Sequence, residues 1–553
     1  MAKPCWKRLC AGLAICLLTA RAGAQVGIDV AFATDQAPAP GAEDALLITY
    51  RLPPHCASLR FDKTAQERAG WRAQDACGAA DARALTRGTT DCDAIRFRVP
   101  LSTEKTSGYP AAFSFGAGQA AFTHTSNFAL DQRCGPLQYS FKAAHIALGG
   151  KLYQAFTPAL EGAGDVGVLL LRSGTVLESV PDMPLSYFDP ALGDANIAAI
   201  RTVAQQTIAY YRRALPDAPF RMPVLAVARP SGAGGPRVEG DASDVVRLVL
   251  HNWPRTPDAY TQRLATMFVS HEFSHRFQMR DAVDVYPEAR VIHEGGAELL
   301  RWLLALEKGW LSPAQAKREL DTALAQCLLA VGAAPWGEVA AAIKSQRRLE
   351  YRCGLPLYVY ALGSRQGPGT ALQRINQFYR ELAAGAQPDF ARTVECGALA
   401  PCSARWLPAL LGSQQSMHSA WRDLFSHSKL ARPGPLNQAQ KDVLVEHAVE
   451  GLMVRDCGAS SYFLQQDGVI FDQLDSCRHL RGASYLKRIA GLPVFKDPRT
   501  WQRLSSICRK RAKLPLAFAD GSGALLDCGS VPPQPRWYAA DIEAVRARLL
   551  APR

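Results

Sequence analysis

The sequence predicts an α+β protein of several domains: a β-rich N-terminal domain, a mainly helical central domain and a small mixed domain at the C-terminus. Three observations carry this expectation. The 553 residues exceed what one hydrophobic core usually organises. A composition of 48% hydrophobic and 20% charged residues belongs to a globular chain and excludes a disordered one. The apolar pattern also changes period along the chain, from short strand-like runs to helical spacing and then to a mixture.

The first 24 residues differ from all that follows. Lys3, Lys7 and Arg8 are followed by the short apolar run "LCAGLAICLLTA" and by "AGA", a small-residue cleavage site. The run is too short to span a bilayer stably. The reading is a bacterial-type secretory signal peptide cut after Ala24, giving a periplasmic or secreted protein with no stable membrane insertion. Removal of Lys3, Lys7, Arg8 and Arg21 lowers the formal net charge from +13 to +9. The remaining basic residues are scattered, without a cluster interleaved with aromatics, so no nucleic-acid partner is expected.

Residues 25–185 alternate short apolar runs such as "ALLITYRL" and "AIRFRVPL" with Gly, Pro and Ser breaks, the pattern of strands. Residues 186–435 form the central domain: a helical stretch around 190–225, a buried strand at "MPVLAVARP", another strand at "VVRLVLH", and mainly helices from 256 to about 430. Between those strands "SGAGGPRVEGDASD" reads as a Gly-rich loop. "ARPGPLNQ" is a candidate linker to a C-terminal domain over 436–553. Twelve cysteines remain after the leader, grouped four, four and four along the chain. An even count in an exported chain implies disulfides. No C-x-x-C pair occurs, so any bound zinc must take histidine and carboxylate ligands.

Those ligands have a candidate place in "TPDAYTQRLATMFVSHEFSHRFQ". Thr256 is the expected N-cap and Pro257 the first helical residue. On a helix, residues four apart share a face, so His271 and His275 can direct ring nitrogens at one ion. Glu272 beside them can take a proton from a metal-bound water and pass it to the leaving amine. A peptidase site needs a third protein ligand. Eighteen residues separate His275 from Glu294, at the head of the apolar-periodic segment "VIHEGGAELLRWLLALEKG". Glu298, one turn on, can hydrogen-bond a ligand histidine from behind.

H-E-x-x-H, eighteen residues and then Glu resembles the gluzincin metallopeptidases, particularly the aminopeptidase N type. The resemblance implies a thermolysin-like catalytic domain and Zn2+ held by His271, His275 and Glu294, with peptides or proteins as substrates. It also implies an oxyanion-stabilising tyrosine, matched by Tyr351 in "LEYRCGLPLYVYALG", where Cys353 replaces the family's lysine. Tyr358 and Tyr360 are expected in the core. The family's amine-gripping G-x-M-E-N loop is absent; Glu239, 32 residues before His271, stands at a comparable distance. The choice between aminopeptidase and endopeptidase therefore stays open, as does a retired peptidase fold acting by binding. In layout, with a PDZ-like C-terminal domain built on strands, a "CRHL" helical turn and a helix at "PRTWQRLSSI", the chain resembles the glycyl aminopeptidase family.

Overall fold

Strand alternation organises the N-terminal region. In Ile28–Thr34, Ile28, Val30 and Phe32 are buried while the residues between them are partly exposed, the period of a strand with one covered face. This strand lies inside a ten-stranded sheet, parallel to Leu137–Leu148 and antiparallel to Ala45–Arg51. In the computed structural model the described residues are 27–34 and 44–550. Within the second range, residues 64, 89–91, 103–109, 117, 158–159, 162–163, 232–233, 366, 473–475, 481–483, 530 and 532–533 are not described. The expected leader and its cleavage site lie outside the described residues.

A four-stranded sheet begins the central region. Leu185–Phe188, Val224–Ala228 and Val245–His251 run parallel, and Arg237–Ala242 closes one edge antiparallel. Val224–Ala228 and Val245–His251 are buried throughout, which is why they read as unbroken apolar runs. One face packs on Phe113, Phe122 and Leu169 of the N-terminal sheet. The other packs on the helices Asp194–Ala214 and Ala259–Ser274 through Ile200, Ile208, Val269 and Phe273. The edge strand corrects the expectation of a loop at 231–244. Gly and Asp are poor strand formers, but backbone pairing of Glu239 with Val249 and Asp241 with Arg247 outweighs that preference.

Further helices, including Gly296–Glu307, Pro313–Val331, Leu349–Gly363 and Met417–Ser428, share one core containing Trp302, Tyr360 and Trp421. After Gln438–Cys457 the chain forms an antiparallel meander of Tyr462–Gln465, Gly468–Phe471, Tyr485–Ile489, Lys513–Phe518 and Gly523–Asp527, with the helix Pro498–Arg509 packed against it. Cys477–Leu480 is not the expected helical turn: Asp456 accepts its backbone N–H groups at His479 and Leu480 over 3.0 and 2.8 Å. The chain then returns to the central helices. Tyr538–Ala540 pairs with Ala431–Pro433, and Ile542–Leu550 buries Val545 and Leu549 in the central core.

Among the described residues six disulfides join Cys56–Cys134, Cys77–Cys92, Cys327–Cys353, Cys396–Cys402, Cys457–Cys477 and Cys508–Cys528. They fit an oxidising compartment. Among the described residues, no helix is long and apolar enough to cross a membrane.

The contact between the N-terminal sheet and the edge strand carries a pH-sensitive pair. His124 Nδ1 lies 3.3 Å from Asp165 and its Nε2 lies 3.3 Å from Asp241. Burial disfavours the imidazolium, but the two carboxylates outweigh it and lift the group to about 9. Because the folded value exceeds the unfolded one, this stabilisation is complete below about pH 6.5 and disappears as pH rises through about 9. Denaturant unfolding should show His124→Gln costing about 2–3 kcal/mol at pH 6 and little at pH 10. An equal cost at both pH values would remove the pair from the account.

Candidate active site

The helix carrying the histidines starts at a defined cap. Asp258 Oδ1 accepts the Thr261 backbone N–H over 2.7 Å, and Thr261 Oγ1 receives the Asp258 N–H over 3.0 Å. This capping box places the N-cap at Asp258, two residues later than the Thr256 expected from Pro257, because it satisfies two otherwise orphaned groups reciprocally. The helix runs Ala259–Ser274, and His275 follows at its C-cap with helical dihedrals. The four-residue spacing therefore still brings both imidazoles to one side.

Three ligand atoms converge there. His271 Nε2 and His275 Nε2 are 3.2 Å apart, and Glu294 Oε2 lies 3.5 and 3.6 Å from them. A tetrahedral zinc with bonds of about 2.0–2.1 Å sets its ligand atoms about 3.3–3.4 Å apart. Glu294 Oε2 is also buried without a hydrogen-bond donor. The second ring nitrogen of each histidine is occupied from behind. His271 Nδ1 is 2.9 Å from Glu298 Oε1, and His275 Nδ1 is 2.7 Å from Gln278 Oε1. With the proton on each Nδ1, both Nε2 lone pairs face the common point. The donor set fits a divalent zinc ion.

The fully buried Gln278 was not anticipated; its amide also donates to His293 O over 2.8 Å. Its position three residues after His275 was the one available signal. Glu298 is paired with Arg301, which also reaches Glu319 at 2.5 Å. His293 turns away from the cluster toward Asp284, 3.4 Å off.

Glu294 sits on a π-helical turn, Val291–Gly295, that runs straight into Gly296–Glu307. Such turns rotate side chains relative to the regular helix. The following Gly295 touches Gly354 of the helix Leu349–Gly363: a Cβ built on Gly354 would lie 2.3 Å from Gly295 Cα. This crossing of two glycines brings Tyr351, one turn before Gly354, to the cluster. Its ring stacks alongside His271 with centroids 6.2 Å apart, on the side of the cluster where the Glu294 carboxylate acts on its phenol. Burial, reinforced by Glu294, raises the phenol well above its usual value, so it remains a donor. Tyr358 and Tyr360 lie in the core: Tyr358 hydroxyl is 3.4 Å from Ile292 O, and Tyr360 packs on Trp421 and Phe425.

Glu272 is buried beside the histidines, close to the edge strand. A Cβ on Gly240 would come within 3.1 Å of Glu272 Oε1, so the strand approaches the carboxylate because residue 240 has no side chain. Burial pushes the Glu272 carboxyl up to about 7. The structure does not bring Glu239 into this group. Strand residues alternate faces, so with Gly240 toward Glu272, Glu239 points the other way. Its Oε1 lies 3.3 Å from His251 Nε2, both side chains being buried.

No protein-family model and no curated protein matches the sequence. Solved structures do match. An aminopeptidase N family protein from Idiomarina loihiensis superposes over 95% of this chain and 100% of its own, with TM-score 0.52 and 10% identity. This chain shares its fold. Legionella pneumophila aminopeptidase A covers 67% of this chain and 47% of its own at 10% identity, with a TM-score of 0.39 that is too low to establish a shared fold.

Proposed function

We propose that the chain is an exported zinc-dependent metallopeptidase of gluzincin type, acting as an aminopeptidase. The observation that carries the proposal is the triangle of His271, His275 and Glu294, with edges of 3.2–3.6 Å, beside the buried Glu272. Zinc held by these three residues would polarise the scissile carbonyl and make a water acidic enough to attack near neutral pH. Glu272 takes the attacking water's proton on its carboxylate and delivers it to the leaving nitrogen. Tyr351 donates its hydroxyl to the oxygen on which negative charge develops. Glu298 and Gln278 hold the two imidazoles in the required tautomer. The leader is cut after Ala24. Domains at 25–185, 186–435 and 436–553, the last PDZ-like, complete the reading.

One observation favours a second reading, an endopeptidase. Glu239, the residue matched to the amine-gripping glutamate, is engaged with His251 and faces away from Glu272. The decisive experiment measures metal content and hydrolysis of a peptide library with free and N-acetylated termini. About one zinc per chain, cleavage lost on chelation and restored by zinc, and a need for the free amine are the results expected. Cleavage of acetylated peptides at internal bonds selects the endopeptidase. A chain that holds no zinc and gains no activity on its addition refutes both.

A further inference from the structure

The helix that carries Tyr351 begins without a capping side chain. Its N-cap, Arg348, adopts a left-handed φ of 50° and makes no side-chain cap bond. Ends of helices fray unless something outside them holds them. Here the first turns are held by side chains. Glu350 accepts from Arg290 Nε over 2.7 Å, Cys353 is joined to Cys327, and Gly354 is locked against Gly295. All of these attach the helix to the central region.

Arg352, next to Tyr351 in the chain, reaches elsewhere. Its Nη1 donates to Glu450 over 2.9 Å, and its Nη2 donates to the Tyr462 hydroxyl over 2.7 Å while standing 3.5 Å from Glu446. The Tyr462 hydroxyl donates in turn to Glu446 over 2.9 Å, and Gln326 Nε2 donates to the other Glu446 oxygen over 2.8 Å. The Arg352 side chain is 14% exposed and those of Glu446 and Glu450 are 7% exposed, so the charges are largely shielded from solvent. Glu446 and Glu450 lie on the helix Gln438–Cys457, and Tyr462 lies on the first strand of the C-terminal meander. A buried, mutually satisfied network of this kind fixes geometry more strictly than apolar contact does.

We infer that Arg352 is a positioning residue through which the C-terminal region, by way of Glu446, Glu450 and Tyr462, sets the place of the Tyr351 hydroxyl. The C-terminal region is then part of the catalytic apparatus and not an appended module. The inference rests on the reading of Tyr351 as the donor to the developing oxyanion. That role is exacting: a misplacement of about 1 Å costs on the order of a hundredfold in rate.

The test is a double-mutant cycle on the full-length zinc-loaded chain, with kcat, KM and zinc content measured for Tyr351→Phe, Arg352→Met and the double variant. Arg352→Met should lower kcat about 10–100-fold, leave KM within about twofold and retain zinc. In the Tyr351→Phe background the same change should have less than about a threefold effect, because the hydroxyl it positions is gone. Arg352→Lys, which keeps the charge, should recover part of kcat. Tyr462→Phe removes a single hydroxyl and carries the same cycle should Arg352→Met not fold. Equal losses with and without the Tyr351 hydroxyl would overturn the inference, as would an unchanged kcat. If Tyr351→Phe keeps full activity while Glu272→Gln has none, the inference falls and the peptidase reading stands. If the parent chain holds no zinc and gains no activity on its addition, that reading falls as well.

Discussion

Replacing Glu272 by Gln is expected to reduce peptide hydrolysis by about 10²–10⁴-fold while zinc content stays at one per chain. The substitution preserves shape and volume in a buried site, and it touches none of the three converging ligand atoms. What it removes is the ability to accept a proton. A buried carboxylate beside the histidines can take a proton and return it; a carboxamide has no equivalent state. Steady-state kinetics with metal analysis on the same preparation checks both halves. A variant hydrolysing at the parent rate would remove Glu272 from the mechanism. One that loses zinc and activity together would make the residue structural.

The second large effect concerns a residue with no chemistry. Gly354→Ala should destabilise the chain by about 2–3 kcal/mol and depress hydrolysis, although alanine is the better helix former by about 1 kcal/mol. The new Cβ would meet Gly295 Cα at 2.3 Å, and both sides of that contact are backbone, which cannot rotate away. Relief requires parting the turn that bears Glu294 from the helix that bears Tyr351. Gly451, inside the helix Gln438–Cys457, is the control: a Cβ there comes no nearer than 3.4 Å to the end of the Arg455 side chain. Gly451→Ala should stabilise by up to about 1 kcal/mol. Thermal unfolding of the two variants should therefore shift in opposite directions. A stabilised Gly354→Ala would mean that the two segments are not in contact.

Where a feature depends on nearby residues, it could be read from the chain. The His271–His275 spacing needs only a helix, and the capping residues that start one are present, although the true cap, Asp258, is two positions from the expected one. The buried strands announce themselves by unbroken apolar runs. The local grouping of the cysteines matches the six pairs. The edge strand Arg237–Ala242 could not be read this way: its composition is that of a loop, and it is a strand only because Val245–His251 offers a free edge to pair with.

For the candidate site the division is similar. Which residue types are available, and at what spacing, is a property of the sequence: two histidines one turn apart, a glutamate between them, a second carboxylate eighteen residues on. That Glu294 Oε2 comes within 3.6 Å of both imidazoles depends on a π-helical turn and on the meeting of Gly295 with Gly354, fifty-nine positions apart. Gln278 behind His275, Glu239 turned toward His251, and Arg352 bound into Glu446, Glu450 and Tyr462 are likewise outcomes of packing. Helical periodicity and capping are written in neighbouring residues, because the forces behind them act within a turn or two. The facing of one side chain on another across the core is decided by backbone approach and burial, which no local stretch encodes.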